Sequence, residues 1–202
     1  MILDIVTCGH PVLREKGALI GPNTLRPDDL RQLATDMIET MYAANGVGLA
    51  AQQVGRALML AVIDVAASEM PSELRLNGKP QDLAAQMPMI LLNPKLTHSE
   101  GEQISEEGCL SVPEVSTPIR RAALVRVAAQ HLDSRPFQLE ATGLLARALQ
   151  HEIDHLNGIL FLDRMDPATR ASFEGRVKKI QKETLARLKQ SARRRREPAP
   201  AA

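Results

Sequence analysis

The segment QHEIDHLNG, residues 150–158, contains two histidines four positions apart, with a glutamate directly after the first. The residues before it are good helix formers, and the Asn-Gly pair at its end supplies a helix stop. Positions four apart share one face of a helix, so His151 and His155 can present both rings to one ion while Glu152 lies beside them. The segment therefore predicts a metal-binding helix with an adjacent acid/base group.

A catalytic metal centre usually has three protein ligands and a water, so two imidazoles leave one ligand to be found. A metzincin protease requires a third histidine where this chain has Phe161, which excludes that class. A thermolysin-like protease takes a downstream glutamate, but Glu174 lies in a charged helical segment that favours a solvated side chain. Cys109, in SEEGCLSVPE, is the remaining candidate, and the neighbouring glycine and proline predict an irregular loop that can approach a metal. From the residues alone, Cys109 is either the third ligand or a small buried hydrophobic residue.

The hydrophobic pattern around this helix predicts an α+β fold. A helix is expected from Pro27 to about Asn45, and strands are expected at 57–65, 89–98, 122–132, 136–142 and 158–162. A final helix is expected from about 166 to 190, and residues 66–88 are predicted to form a long surface loop or a flap over the substrate. We therefore expect antiparallel sheets around a central helix bearing His-Glu-x-x-His, with an N-terminal helix and a C-terminal helix.

Composition narrows the class of protein. A chain of 202 residues suits one domain, and the 2% aromatic content with no Trp leaves few stacking platforms for nucleic-acid bases. Two cysteines, Cys8 and Cys109, are too few for a disulfide framework. No basic leader with an apolar run and no apolar stretch of membrane-spanning length occurs in the sequence. These features predict a cytoplasmic protein with no membrane segment.

The charge is unevenly distributed along the chain. Residues 166–202 contain eleven Lys/Arg and four Asp/Glu, whereas residues 1–165 contain 14 and 20. This difference predicts a catalytic domain over 1–165, followed by an appendage over 166–202 that consists of a basic helix and a disordered tail.

Three separated segments resemble, in order and spacing, the signature motifs of peptide deformylases. They are GVGLAAQQ at 46–53, EGCLS at 107–111 and QHEIDHL at 150–156, and the similarity extends over most of residues 1–165, including HPVLR at 10–14 and LLNP at 91–94. The resemblance implies a metal-dependent hydrolase that removes the N-formyl group from the N-terminal formylmethionine of newly made polypeptides and releases formate.

The resemblance also implies a role for each residue of the site. Cys109, His151 and His155 are expected to bind the metal, and Glu152 to act as general acid/base while a metal-bound water attacks the formyl carbon. Gln53 and the backbone N–H of Leu110 are expected to stabilise the oxyanion. The expected substrate-binding residues are Val47, Gly48 and Leu49 beside the peptide, and Leu144, Arg147 and Ala148 around the methionine side chain. Arg147 is unusual in an apolar pocket, and we expect its stem to line the wall while its guanidinium reaches solvent.

The cofactor and the partners follow from the same resemblance. Cysteine and histidine suit zinc, but the family implies one ferrous ion per chain, with zinc, nickel or cobalt able to take its place. The basic C-terminal helix is either a solvated amphipathic helix or a ribosome contact, and the chain is expected to be a monomer. Two other functions remain open, a zinc endopeptidase on the same helix and a ribosome-associated binding protein with a structural metal.

Overall fold

The computed structural model describes residues 1–194, so most of the tail predicted to be disordered, residues 193–202, lies outside the described part of the chain. Its first two residues, Arg193 and Arg194, instead belong to the last helix. Within that part, three helices and nine strands form the fold. The helices are α1 (Pro27–Ala43), α2 (Gly143–Leu156) and α3 (Pro167–Arg194). The strands are β1 (Gly48–Ala50), β2 (Leu60–Ile63), β3 (Leu74–Leu76), β4 (Lys79–Pro80), β5 (Met89–Glu100), β6 (Gln103–Cys109), β7 (Val112–Arg121), β8 (Leu124–Gln130) and β9 (Pro136–Thr142). Among residues 1–194, no helix is both long enough and apolar enough to cross a membrane.

The strands form two antiparallel sheets. Seven of them pair in the order β1-β2-β5-β8-β9-β3-β4, with β1 at one edge. Strands β6 and β7 form a separate hairpin that pairs only with itself in the described structure. The predicted α+β class with antiparallel sheets is confirmed.

Helix α2 is the centre of the fold because it packs across β1, β2, β5, β8 and β9 of the large sheet. Side chains alternate between the two faces of a strand, so Ile63 of β2 joins the core beneath α2, whereas Leu60 and Val62 join the core beneath α1. Nearly all of the α2 residues from Leu145 to Leu156 are buried. The predicted central helix is therefore buried in the fold along most of its length.

The expected surface loop at 66–88 is wrong in part. Strand β3 of this segment pairs with β9, and β4 pairs with β3, so two strands extend the edge of the large sheet. Asn77 and Gly78 form the turn between them with φ values of 49° and 80°, the left-handed conformation that two-residue hairpin turns require. An Asn-Gly pair is typical of a hairpin turn, but the strands that flank it are too short to show an alternation of apolar and polar residues.

Two other local predictions also differ from the structure, one wholly and one in part. The expected strand at 158–162 is instead an irregular segment that leads into a 3₁₀ turn, Phe161–Arg164, whose apolar residues are buried for packing rather than for strand pairing. The expected irregular loop around Cys109 is found in part, because Cys109 ends β6 where the hairpin register shifts and a tight turn then leads into β7.

Helix α3 is packed against the body for much of its length. Ile180 is buried in an apolar cluster that includes Cys8 and Val112, and Phe173 and Val177 pack against the same cluster. Farther along, Thr184 is buried and its hydroxyl lies 2.6 Å from that of Thr7.

Candidate metal centre

Three side chains converge at one end of the cleft with the donor atoms that a metal requires. The Cys109 Sγ lies 3.2 Å from Nε2 of His155, and the two histidine Nε2 atoms are also 3.2 Å apart. All three donor atoms lie within 4.8 Å of one another. Around one tetrahedral zinc-like ion, bond lengths of about 2.0 to 2.3 Å place neighbouring ligand atoms about 3.3 to 3.6 Å apart. The positions of these donor atoms therefore fit a single metal ion.

The two parts of the chain that supply these donors come from different elements. His151 and His155 lie one turn apart on α2, as their spacing predicted. Cys109 is the last residue of β6, where the hairpin register shifts between Gly108 and Cys109. Burial lowers the pKa of His155 well below its ordinary value, which keeps the ring neutral as metal binding requires.

Glu107 supports the centre from behind. Its Oε1 lies 2.7 Å from Nδ1 of His151, so the ring donates to the carboxylate and Nε2 faces Cys109 and His155. Burial alone would raise the pKa of Glu107, but the hydrogen bonds from His151 and Arg121 hold it well below its usual range. Sequence reasoning assigned no role to Glu107. The signal was its position two residues before Cys109, because alternate residues of a strand share one face.

Glu152 is buried beside the centre and lines the cleft. Its Oε2 is buried and has no hydrogen-bond partner among the described residues. Burial raises the pKa of Glu152 to about 7. A carboxyl with such a pKa can both accept and donate a proton near neutral pH.

Gln53 is buried and also lines the cleft. Its Oε1 accepts a hydrogen bond of 2.8 Å from the N–H of Ala50, so its amide nitrogen is directed at the Sγ of Cys109, 3.7 Å away. Leu110 follows Cys109 in the turn between β6 and β7 and lines the same part of the cleft. The structure thus brings the two predicted oxyanion-stabilising residues to the metal centre.

The cleft itself has a volume of about 840 Å³ and is open at one side. Five of the six expected substrate-binding residues line it, namely Val47, Gly48, Leu144, Arg147 and Ala148. Leu49 is the exception, because its side chain is fully buried in the core beneath α1. Leu49 is therefore the one expected substrate-binding residue that does not line the cleft.

The expectation that the guanidinium of Arg147 reaches solvent is wrong. The residue is 3% exposed, and Nη1 donates to Oε2 of Glu107 at 2.9 Å. Because Glu107 is itself buried, its carboxylate binds the guanidinium inside the protein. The side chain of Arg147 therefore does not extend to solvent.

Sequence reasoning also missed the contribution of α3 to this cleft. Phe173 lines the cleft from its first turns. Arg176, one turn later, pairs with Glu114 of β7, which lines the mouth as well. The only sequence signal was the apolar spacing of Phe173 and Val177, which does not reveal the surface that the helix covers.

Comparison with known proteins agrees with this geometry. Residues 2–171 match the family model described as Polypeptide deformylase. The chain is 43% identical over 182 residues to the peptide deformylase of Methylacidiphilum infernorum, an alignment that covers 90% of this chain and 94% of that protein.

Solved structures give the same result. The crystal structure of peptide deformylase from Thermus thermophilus superposes with a TM-score of 0.76 at 34% identity, covering 91% of this chain and 99% of that one. The peptide deformylase from Synechococcus elongatus in complex with actinonin superposes with a TM-score of 0.71 at 36% identity, covering 86% and 85%.

Proposed function

The chain belongs to the polypeptide deformylase family, and we propose here how its own residues perform the reaction of that family. It is a hydrolase that removes the N-formyl group from nascent polypeptides, and its centre suits a single metal ion. The observation that carries the residue assignment is the convergence of Cys109 Sγ and two histidine nitrogens beside Glu152 in an open cleft.

We assign the metal to Cys109, His151 and His155. A divalent ion at this position supplies Lewis-acid activation of a water molecule and of the formyl carbonyl. Ferrous iron is the proposed native ion by family membership, with zinc, nickel or cobalt able to replace it. The soft thiolate and the two imidazoles support this choice over magnesium or calcium, which prefer oxygen ligands.

Glu152 is the proposed general acid/base. Its side chain lines the cleft, where the carboxylate can take a proton from the attacking water and return it to the leaving amine, and its Oε2 has no other hydrogen-bond partner among the described residues. Glu152 directly follows His151 on α2, so the helix backbone fixes its position beside the proposed metal ligands.

Gln53 and the backbone N–H of Leu110 are the proposed oxyanion donors. The acceptor end of the Gln53 amide is occupied by Ala50, so the end that faces Cys109 is a donor. A donor held in this way stabilises negative charge on the formyl oxygen without having to reorganise during the reaction.

The peptide is proposed to lie along β1. This strand is at the edge of the large sheet, and an extended peptide can pair with such an edge through its backbone. Val47 and Gly48 then lie beside the first residues of the peptide. Its methionine side chain enters the pocket of Leu144, Ala148 and the stem of Arg147.

The boundary between body and appendage is proposed to fall later than the sequence suggested. Because Ile180 and Thr184 are buried against the body, the catalytic unit extends to about residue 184, and the appendage begins after it. The cations of that appendage, beginning at Arg187, support a contact with ribosomal RNA phosphates. We propose that the enzyme is a monomer and that it acts in the cytoplasm. The absence of a disulfide between Cys8 and Cys109 supports the cytoplasmic location.

The experiment is anaerobic purification, metal analysis and a formate-release assay on a formyl-Met tripeptide. Cys109→Ala should lose both the metal and formate release, because one of three ligands is removed. Glu152→Gln should keep the metal and lose roughly 10²- to 10⁴-fold in kcat, the usual contribution of general acid/base catalysis. His98→Ala, which alters an exposed histidine outside the centre, is the control and should match the wild type.

Three results contradict the assignment. The first is formate release by Cys109→Ala with its metal retained. The second is cleavage of unformylated internal peptide bonds that survives Cys109→Ala, which favours an endopeptidase. The third is that Glu152→Gln leaves the function of the protein unchanged, which favours a structural metal.

A further inference from the structure

The proposed metal ligands are divided between two parts of the fold that no backbone pairing joins. His151 and His155 belong to α2, whereas Cys109 belongs to the β6–β7 hairpin, which forms its own two-stranded sheet. The geometry of the centre therefore depends on side chains that fix the hairpin against the helix.

Arg147 makes such a connection from the helix side. Its Nη1 donates to Oε2 of Glu107 at 2.9 Å and to the carbonyl of Ile119 at 3.1 Å. Its Nη2 donates to the carbonyl of Gln103 at 3.4 Å. Glu107 and Gln103 lie on β6 and Ile119 lies on β7, so one side chain binds both strands of the hairpin.

We propose that Arg147 is a positioning residue that clamps the hairpin bearing Cys109 onto the helix bearing the two histidines. The inference rests on the proposed function, since it concerns the same metal. Arg147 acts on the centre through Glu107, which binds Arg147 by one oxygen and Nδ1 of His151 by the other.

The helix geometry makes this clamp act near the metal. Arg147 is four residues before His151, so both side chains lie on the face of α2 that meets the hairpin. Glu107 is two residues before Cys109 on β6. A shift of the hairpin along α2 would therefore change the contacts of Arg147 and the approach of Cys109 together.

An arginine suits this position better than a lysine does. The guanidinium is planar and has five N–H donors, so it can bind a carboxylate and two carbonyls in different directions. A lysine has a single nitrogen at the end of a flexible chain, and we expect it to reach one of these acceptors at a time.

A second connection makes the clamp testable without unfolding the protein. Arg121 of β7 binds both Glu107 and Asp154 of α2, and Arg164 also binds Asp154. If the guanidinium of residue 147 is removed, the carboxylates of Glu107 and Asp154 still pair with Arg121 and Arg164. No buried carboxylate is then left without a partner. A neutral side chain at 147 should therefore weaken the clamp and leave the fold in place.

The test uses the full chain loaded with Co²⁺, whose absorption reports a bound thiolate, together with metal release to a chelator. Arg147→Met keeps the apolar stem and removes every donor, while Arg147→Lys keeps the charge. Arg120→Met is the matched control, because Arg120 lies on the same hairpin but is exposed and pairs only with exposed Glu102.

We expect Arg147→Met to release the metal roughly 10- to 100-fold faster, as loss of a supporting group around a metal ligand typically does. Its thiolate-to-cobalt band should weaken or shift, and kcat should fall more than KM rises. Arg147→Lys should be intermediate, and Arg120→Met should match the wild type.

The clamp is contradicted if Arg147→Met keeps the metal release rate and the cobalt spectrum of the wild type, even when KM changes. In that case Arg147 only lines the methionine pocket and does not position the metal ligands. If Arg147→Met does not fold, wild-type metal release and spectrum in Arg147→Lys contradict the clamp equally. Failure of the wild type and Arg120→Met to release formate would instead count against the proposed function.

Discussion

Gly48 of β1 and Glu152 of α2 lie so close together that no side chain fits between them. A Cβ on residue 48 would overlap Oε1 of Glu152 and lie 2.9 Å from its Cδ. The backbone of Gly48 has no left-handed φ, so the glycine is required for space and not for conformation. The edge strand therefore forms one wall of the site that holds the acid/base carboxylate.

Gly48→Ala should displace Glu152 and lower kcat at least about 100-fold, the lower end of what a positioned acid/base group contributes. Metal content should remain at one ion per chain, because the clash does not involve a metal ligand. Gly21→Ala is the control, since the nearest atom to its new Cβ is a Thr24 hydroxyl 3.9 Å away. Wild-type kcat in Gly48→Ala would show that Glu152 is free to move without cost.

Gln53→Glu should separate the oxyanion role from a structural one. A glutamate preserves the acceptor for the Ala50 N–H but replaces the donor near Cys109 with a negative oxygen. We expect kcat per folded molecule to fall roughly 10²- to 10³-fold, the effect of losing one oxyanion donor, whatever the buried carboxylate does to the free energy of unfolding.

The neighbouring Gln52 provides the comparison. Its side chain donates to the carbonyl of Leu156 at 3.2 Å and does not line the cleft. Gln52→Met should lower the melting temperature and leave kcat per folded molecule unchanged. The reverse pattern, with Gln53→Glu destabilised and still fully active, would remove Gln53 from the chemistry.

The segment at 66–88 gives a stability prediction. Leu74 of β3 is 3% exposed and packs in the core beneath α2. Leu74→Ala should therefore cost roughly 2 to 5 kcal/mol in the free energy of unfolding, measured by chemical denaturation. Met70→Ala, at a residue 43% exposed in the same segment, is the control. Equal stability of both variants would mean that the segment is only a surface loop.

Features that depend on local spacing could be predicted from the sequence. Helices α1 and α2 follow from apolar and histidine positions three or four apart, and the approach of Cys109 to the two histidines follows from a motif resemblance. The buried position of Arg147 could not be predicted, because its partner Glu107 is 40 residues away and the pairing depends on how the hairpin docks. Strands β3 and β4 were missed because the pairing of β3 with β9 is long-range, while the hydrophobic pattern of both strands is too short to read.

The packing of α3 decides where the chain can be cut. Removing residues 187–202 deletes six Lys/Arg and one Glu but keeps Ile180 and Thr184 in place. This variant should turn over formyl-Met tripeptides at the wild-type rate and bind ribosomes more weakly. Its affinity should also depend less steeply on salt, since each lost phosphate contact reduces the number of counterions released on binding. The measurement is ribosome sedimentation over a salt series.

Two further variants make the result specific. Arg26→Gln/Arg31→Gln removes exposed cations from the start of α1, and ribosome binding should be unchanged if the contact belongs to the end of α3. A cut after Met165 should lower the melting temperature and the activity together, because it removes Phe173, Val177 and Ile180 from the apolar cluster. If the chain cut after residue 186 binds ribosomes with wild-type affinity and salt dependence, the basic end of α3 is a solvated helix and the ribosome contact is wrong.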